Sequence, residues 1–409
     1  MCIFRNKCDL QMRGIPFEIF ILILVALLFI ESLFYKRLRS NQYQIQPIVR
    51  YIILGITICT YFVFIVMYFN PDRIKHVQDY RSYLTFNTLF TCYLALKLPL
   101  MIFYLCSPAK LTCNSSRSIL LAIYSVTILL SICLGAFIGS RKIHTEYVTV
   151  VTKELPKGID SLRIAQISDL HAGNFYFTDK YGLNLATKIN NEKPDIIVFT
   201  GDLINNFAHE YSSFINVFDS MYAPLGKYAI LGNHDYGDYS IWKDSTLKQS
   251  NFDKTISFYR KTNFTILRNE TIQLKINKCK LNIIGVENWG NPPFHKYGDL
   301  RKSLCNVPSS DYQILLTHDP GHWAKEVLRK EDINLTLSGH THGSQIGIVI
   351  AGIKFSPYAL LNPYWGGLYK QNNQWISTNI GLGNVGIASR INMPPTLTII
   401  TLKRIEVNQ

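Results

Sequence analysis

The spacing of hydrophobic positions changes character near residue 143. Before it lie four long apolar stretches, roughly 17–35, 48–69, 83–106 and 118–139, separated by short basic linkers. Each approaches the ~20 residues that a helix needs to cross a bilayer, so the pattern predicts four transmembrane helices over residues 1–142. Lys97 and Pro99 interrupt the third stretch, where a lysine can snorkel and a proline kinks the span without forbidding it. Glu31 falls near the end of the first. That first stretch does not read as a cleaved signal peptide: its apolar core is long, and no small-residue cleavage site precedes "YKRLRS".

From about residue 145 the apolar runs shorten and alternate with amphipathic segments. "LRIAQIS", "PDIIVFT", "GKYAIL", "KLNIIGV", "YQILLT" and "INLTLS" read as strands, and "PTLTIITLKRIEV" as a last one. "DKYGLNLATKINNEK" and "HWAKEVLRKED" carry helical spacing, and the insertion 236–279 is long enough to include helices. Strand–helix alternation of this kind predicts an α/β domain over 143–409 with a largely buried sheet.

Charge sharpens the division. Residues 1–142 hold 15 Lys and Arg against 5 Asp and Glu, whereas 143–409 hold 27 against 23, so most of the net +14 belongs to the apolar half. That excess reads as anchoring to a lipid bilayer with anionic headgroups, and it removes the basis for a nucleic-acid surface on the α/β half. With four spans, eight Lys and Arg share a side with the α/β domain against six opposite, which by the positive-inside rule expects a multi-pass inner-membrane protein with a cytoplasmic catalytic domain. Nine cysteines form no CxxC or zinc-ligand spacing, and only Cys279 and Cys305 fall in the α/β half.

The candidate chemistry lies where the strands end. Five apolar runs finish in "DLH", "GDL", "GNHD", "HDP" and "GHTH", and ligands of open α/β sheets bind beyond such strand ends. Convergence there gathers Asp169, His171, Asp202, Asn233, His234, His318, His340 and His342, with five of the ten histidines. Carboxylate, amide oxygen and imidazole suit borderline divalent metals such as Mn, Fe and Zn. Seven ligands are too many for one ion but suit two, about 3.5–4 Å apart, clamping an in-line displacement at phosphorus. His234 remains over, with Asp235 placed to orient it, as a catalytic pair that stabilises phosphoryl oxygens and assists the leaving group.

In this order, "DLH", "GDL", "GNHD", "THD" and "GHTH" resemble the five blocks of the calcineurin-like metallophosphoesterase superfamily. The resemblance covers about 160–400. It implies a four-layer α/β/β/α sandwich, here preceded by a bundle of about four transmembrane helices. It implies that Asp169, His171 and His342 hold one ion, Asn233, His318 and His340 a second, with Asp202 bridging, and that hydroxide formed on the ions, Mn foremost with Fe, Zn or Mg as others, attacks phosphorus. "SDLHAG", "GNHDYGDY", "NWGNPPFHKYGDL" and "SGHTHGSQIG" behind an apolar N-terminus look like bacterial transmembrane metallophosphoesterases. That branch is similar to UDP-2,3-diacylglucosamine pyrophosphatases of lipid A synthesis, so a phosphorylated, amphiphilic small-molecule substrate is expected. A phosphodiesterase for soluble nucleotides or envelope phosphates, and a metal-binding membrane sensor without turnover, are the rival readings. Arg390 is weighed as a phosphate or lipid contact against pairing with a carboxylate, Trp365 is expected to pack against a loop, and His322 to be structural.

Overall fold

The computed structural model describes residues 17–39, 46–69, 77–106, 116–175, 178–292, 294–305, 307–350 and 353–405. Fourteen strands appear among them. They are β1 (His144–Thr152), β2 (Ser161–Ile167), β3 (Ile196–Phe199), β4 (Lys227–Ala229), β5 (Thr265–Ile266), β6 (Glu270–Ile276) and β7 (Cys279–Gly285), then β8 (Tyr312–Leu316), β9 (Leu335–Ser338), β10 (Ile348–Ile350), β11 (Ile353–Phe355), β12 (Gly367–Gln371), β13 (Gln374–Thr378) and β14 (Thr396–Arg404).

Two six-stranded sheets result, in the orders β1-β14-β2-β3-β4-β5 and β12-β13-β9-β8-β7-β6. In each, the inner strands β2-β3-β4 and β7-β8-β9 run parallel. Their side chains are buried on both faces, which is why they appear as unbroken apolar runs rather than alternating ones.

Successive residues of these strands serve two different layers, as the two-residue period of a strand requires. Ile196, Ile283, Ile314 and Leu335 fill the space between the sheets. Ile197 and Phe199 face outward beneath the helices α5 (Thr178–Asn191), α6 (Ile215–Asp219) and α7 (Ser245–Lys261), with Leu185, Phe214 and Phe258. On the far side of the second sheet, Ile284, Leu315 and Ile376 pack with Trp323 and Val327. The order is therefore helix, sheet, sheet, helix, as the resemblance implied. The helical "HWAKEV" segment forms as a short turn, Pro320–His322, followed by a wider π-type turn, Trp323–Val327.

Four long helices precede the sandwich: α1 (Phe17–Leu38), α2 (Pro47–Phe69), α3 (Val77–Cys106) and α4 (Ser116–Leu134), the last continued by a π turn to Gly139. Four helices stand where four spans are expected, and two of them meet the length and apolarity of a span. Among the described residues, only Pro47–Val66 and Ile119–Gly139 are long and apolar enough to cross a membrane. Helix α3 opens with Gln78, Asp79, Arg81 and Ser82, ahead of the expected span, and contains Lys97, whose ammonium lies 2.8 Å from the carboxylate of Glu31 on α1. Its N-terminal half lies against the sandwich: Tyr80 bonds Asn206, and Thr88 Oγ1 accepts from the Ala388 N–H at 2.7 Å.

The end of α4 docks just as closely. Ser389 Oγ donates to Ile132 O at 3.0 Å, and the Arg390 N–H donates to Gly135 O. Gly139 permits this approach, since a Cβ there would sit 2.1 Å from Arg390 O.

Candidate metal centre

All five loops meet. Asp169 follows β2, Asp202 follows β3, Asn233 follows β4, His318 follows β8, and His340 and His342 follow β9, so each sheet contributes its strand ends to one cluster. Five of these residues, Asp169, His171, Asp202, His340 and His342, have φ between 46° and 75°, the left-handed region that is costly for side-chain-bearing residues. Such strain persists only where the surroundings enforce it, and its concentration here marks a built site. Gly339 shows how tight the packing is: a Cβ would lie 2.4 Å from Asp169 Oδ2.

The contacts fall into three overlapping groups of donor atoms: Asp169–His171–His342, His171–Asp202–His234, and Asp202–His318–His340. His342 Nε2 is 3.3 Å from Asp169 Oδ1 and 3.1 Å from His171 Nε2. His318 Nε2 is 3.2 Å from Asp202 Oδ2 and 3.9 Å from Asp169 Oδ1. Asp202 belongs to two of the groups, the place expected of a bridging carboxylate.

These residues fit a pair of cations, and three observations carry the fit. His318 Nδ1 donates to Thr200 O at 2.7 Å, leaving the Nε2 lone pair facing two carboxylates. A lone pair so placed needs a positive charge between. Without a metal, a proton fills that role: burial opposes it, but Asp202 and then Asp169 outweigh burial and raise the ring to about 10. Second, Asn233 donates its amide N–H to Tyr239 O–H at 2.6 Å, which leaves Asn233 Oδ1 buried and without a partner. Third, His171 and His340 are held below the usual histidine range. Burial is the largest cause in both, joined by His234 beside His171 and by His318 beside His340. Neutral imidazole is the metal-binding form. Asp169 and Asp202 are held low despite burial, Asp169 chiefly by His342 and Asp202 chiefly by His318.

His234 stands at the edge of this cluster, its ring 4.8 Å from that of His171 and nearly perpendicular to it. The reading of Asp235 as its orienting partner is corrected. The Asp235 carboxylate accepts the backbone N–H groups of Asp202, Leu203, Ile204 and Gly232 at 2.9–3.3 Å, and so clamps the loop of Asp202 to that of Asn233. Both of its oxygens are committed to backbone. What orients His234 is the carbonyl of Asn205, 2.9 Å from Nδ1. Because a carbonyl only accepts, Nδ1 carries the hydrogen and the lone pair lies on Nε2.

Several supporting residues were not read from the sequence. Buried Glu210 gathers the N–H groups of Asn205, Asn206 and Phe207 and so fixes the Asn205 carbonyl. Tyr239 turns Asn233 and also packs 4.4 Å from His234; its place in "GNHDYGDY" is the one signal that could have found it. Arg390 meets neither alternative weighed for it. It is fully buried and donates to the carbonyls of Gly383, Met393 and Ile380, with Nη2 3.2 Å from His342 Nδ1. Trp365 packs with Ile380 and Met393, and its carbonyl accepts from Thr341 Oγ1, as expected of a loop-packing residue. His322 is structural too, bonded to Thr317 and stacked on Trp289.

Residues 162–344 match the family model of calcineurin-like phosphoesterases. The uncharacterized metallophosphoesterase YkuE of Bacillus subtilis is 32% identical over 277 residues, 65% of this chain and 88% of that protein. The chain belongs to the calcineurin-like metallophosphoesterases. A further metallophosphoesterase, from Aquifex aeolicus, is 30% identical over 67% of this chain and 98% of its own length. The transmembrane protein with metallophosphoesterase domain of Bos taurus is 27% identical over 68% of this chain, which spans 61% of that longer protein. This metallophosphoesterase is thus a metal-dependent phosphoester hydrolase, with its donor residues drawn from both sheets.

Proposed function

We propose that this metallophosphoesterase is a membrane-anchored, two-metal phosphohydrolase whose substrate is amphiphilic. The observation that carries the reading is the unpartnered His318 Nε2 lone pair between Asp169 and Asp202, beside the equally unpartnered Asn233 Oδ1. Asp169, His171 and His342 would hold one ion, Asn233, His318 and His340 the other, and Asp202 would serve both. When bound, divalent ions such as Mn neutralise charge on the phosphoryl oxygens and acidify a water molecule.

The remaining work falls to the chain. Asn205 and Glu210 fix the His234 ring so that Nε2 faces the centre, where it can donate to a phosphoryl or leaving-group oxygen once protonated. Asp235 holds the Asp202 and Asn233 loops in one register. Burial of nearly every donor keeps bulk water away and strengthens each electrostatic contact.

The two apolar helices 47–66 and 119–139 support a bilayer location, as does the likeness to relatives named as transmembrane proteins. Both favour a lipid-bearing substrate, of which UDP-2,3-diacylglucosamine, cut at its pyrophosphate, is the specific choice. The excess of basic residues beside the catalytic half supports a cytoplasmic site. The test is hydrolysis by the detergent-purified protein with Mn, offering this lipid precursor beside a soluble chromogenic phosphodiester. UMP release by wild type but not by Asn233→Ala/His234→Ala is expected. Cleavage of the soluble ester alone would remove the lipid assignment, and no cleavage with any divalent ion would leave a metal-binding sensor.

A further inference from the structure

The hairpin β10–β11 leaves the sandwich directly after the loop of His340 and His342, and its composition is unusual for a surface. Its register pairs Ile348 with Phe355, Val349 with Lys354, and Ile350 with Ile353. Directly opposed residues share a face, and alternate residues share it along each strand. One face is therefore Ile348, Ile350, Ile353 and Phe355, apolar at every position. The other is Val349 and Lys354, and Lys354 is tied to Glu146 of β1 at 2.8 Å.

Among the described residues, nothing covers the apolar face. Its four residues are 50–74% exposed, and Leu360 and Leu361, on the turn that follows, are 81–83% exposed. An isolated two-stranded hairpin is marginal in water, and a contiguous exposed apolar patch marks an interaction surface.

The hairpin's root identifies the partner. The Gly347 N–H donates to Ile391 O at 2.9 Å, and the Ile391 N–H donates back to Gln345 O at 2.7 Å. The neighbouring Ser389 and Arg390 are the residues that bond Ile132 and Gly135 at the end of the apolar helix 119–139. Exposed Arg141 and Lys142 follow that helix immediately, the position where basic residues meet lipid headgroups. The hairpin thus springs from the level at which the last span would leave the bilayer.

We propose that the apolar face of β10–β11, with Leu360 and Leu361, beds in the headgroup–acyl boundary of the membrane that helix 119–139 crosses. The inference rests on reading that helix as a span. Its consequence reaches the site, because Ser356, at the foot of β11, donates to Gly343 O at 2.7 Å, one residue from His342. A membrane-seated hairpin would turn the mouth of the centre toward the headgroup layer, where a lipid-borne phosphate lies. The shallow depth, about 5–10 Å, is that of interfacial elements.

The experiment places a reporter on the hairpin of the full-length protein in nanodiscs of dioleoylphosphatidylcholine or its brominated analogue. Ile350→Trp adds one tryptophan to the five present, and Ile58→Trp within helix 47–66 is the control for spanning. The added Ile350→Trp emission is expected to fall at least about twofold on bromination, as an interfacial depth requires. Quenching of Ile58→Trp without quenching of Ile350→Trp overturns the proposal, as does protection of the hairpin reporter by self-association that ignores the lipid. Absence of quenching in both would mean that the protein does not enter the bilayer, and the proposal would fall with it. None of these outcomes depends on turnover, so they separate the hairpin's placement from the hydrolase reading. Ile350→Asp/Ile353→Asp supplies the functional arm: the rate on membrane-embedded substrate should fall several-fold while cleavage of a soluble ester is unchanged. An equal loss on both substrates would count against the proposal.

Discussion

His318 Nε2 lies 3.2 Å from Asp202 Oδ2, while the other nitrogen of the same ring is committed to the Thr200 carbonyl. That pair joins the two sheets, since Asp202 ends a strand of the first and His318 a strand of the second. Replacing the ring should therefore act on metal retention before it acts on fold. His318→Asn is expected to lower kcat by ~100-fold or more, the scale of a lost preorganised electrostatic contact. Circular dichroism should remain native. Native activity in a variant that has lost one ion would sink this assignment.

His234 should behave differently. With its Nε2 acting on substrate, as proposed, His234→Gln should cost ~100-fold in kcat with metal content unchanged. The complementary test is Glu210→Gln, which loosens the Asn205 carbonyl behind the ring. It should lower kcat more than it raises KM, and it should shift the pH profile of kcat. A pure loss of thermal stability with an intact profile would mean Glu210 only supports the loop.

Asp235→Asn tests the clamp. Four backbone N–H groups point at that carboxylate, and an amide replaces acceptor capacity with donors. Leaving a buried donor unpaired costs about 1–3 kcal/mol. A lower melting temperature and weaker metal retention should appear together. Were only kcat to fall, Asp235 would be acting on the reaction after all.

His322 gives a pH dependence with a defined sign. Burial, opposed in part by Glu326 and Asp319, lowers its ring from 6.5 to about 4. Between those values the unfolded chain binds the extra proton, so stability rises with pH across this window. The contribution is present above pH 6.5 and is lost as pH falls toward 4, amounting to at most about 3 kcal/mol. Thermal melts from pH 7 to 4 should show this loss, and His322→Phe, stacked on Trp289, should flatten it. An unchanged slope in the variant would assign the loss to other groups.

The five ligand blocks were legible because each sits within a few residues of a strand end, and local apolar patterning locates strand ends. The two-sheet arrangement was less so: the residues 196–199 carry no mark of which face meets which layer. Arg390 was misread because its partners, Gly383, Ile380 and Met393, are backbone carbonyls, which a sequence does not advertise. Asp235 was misread for a related reason: adjacency to His234 implied a side-chain pair, whereas a tight turn sends the carboxylate to four amides. Helix α3 begins before its apolar stretch, and the docking of those first turns, where Tyr80 bonds Asn206, was not legible because it depends on a residue 126 positions away.

The central claim is that donors from both sheets hold two ions, and metal counting tests it most directly. Protein purified in Mn and stripped of loosely bound metal would be analysed by inductively coupled plasma mass spectrometry, with His318→Asn and Asp202→Asn in parallel. The account predicts about two ions per chain for wild type, about one for His318→Asn, and fewest for Asp202→Asn, the shared carboxylate. Wild type holding one ion or none, or variants retaining the full complement, would contradict it.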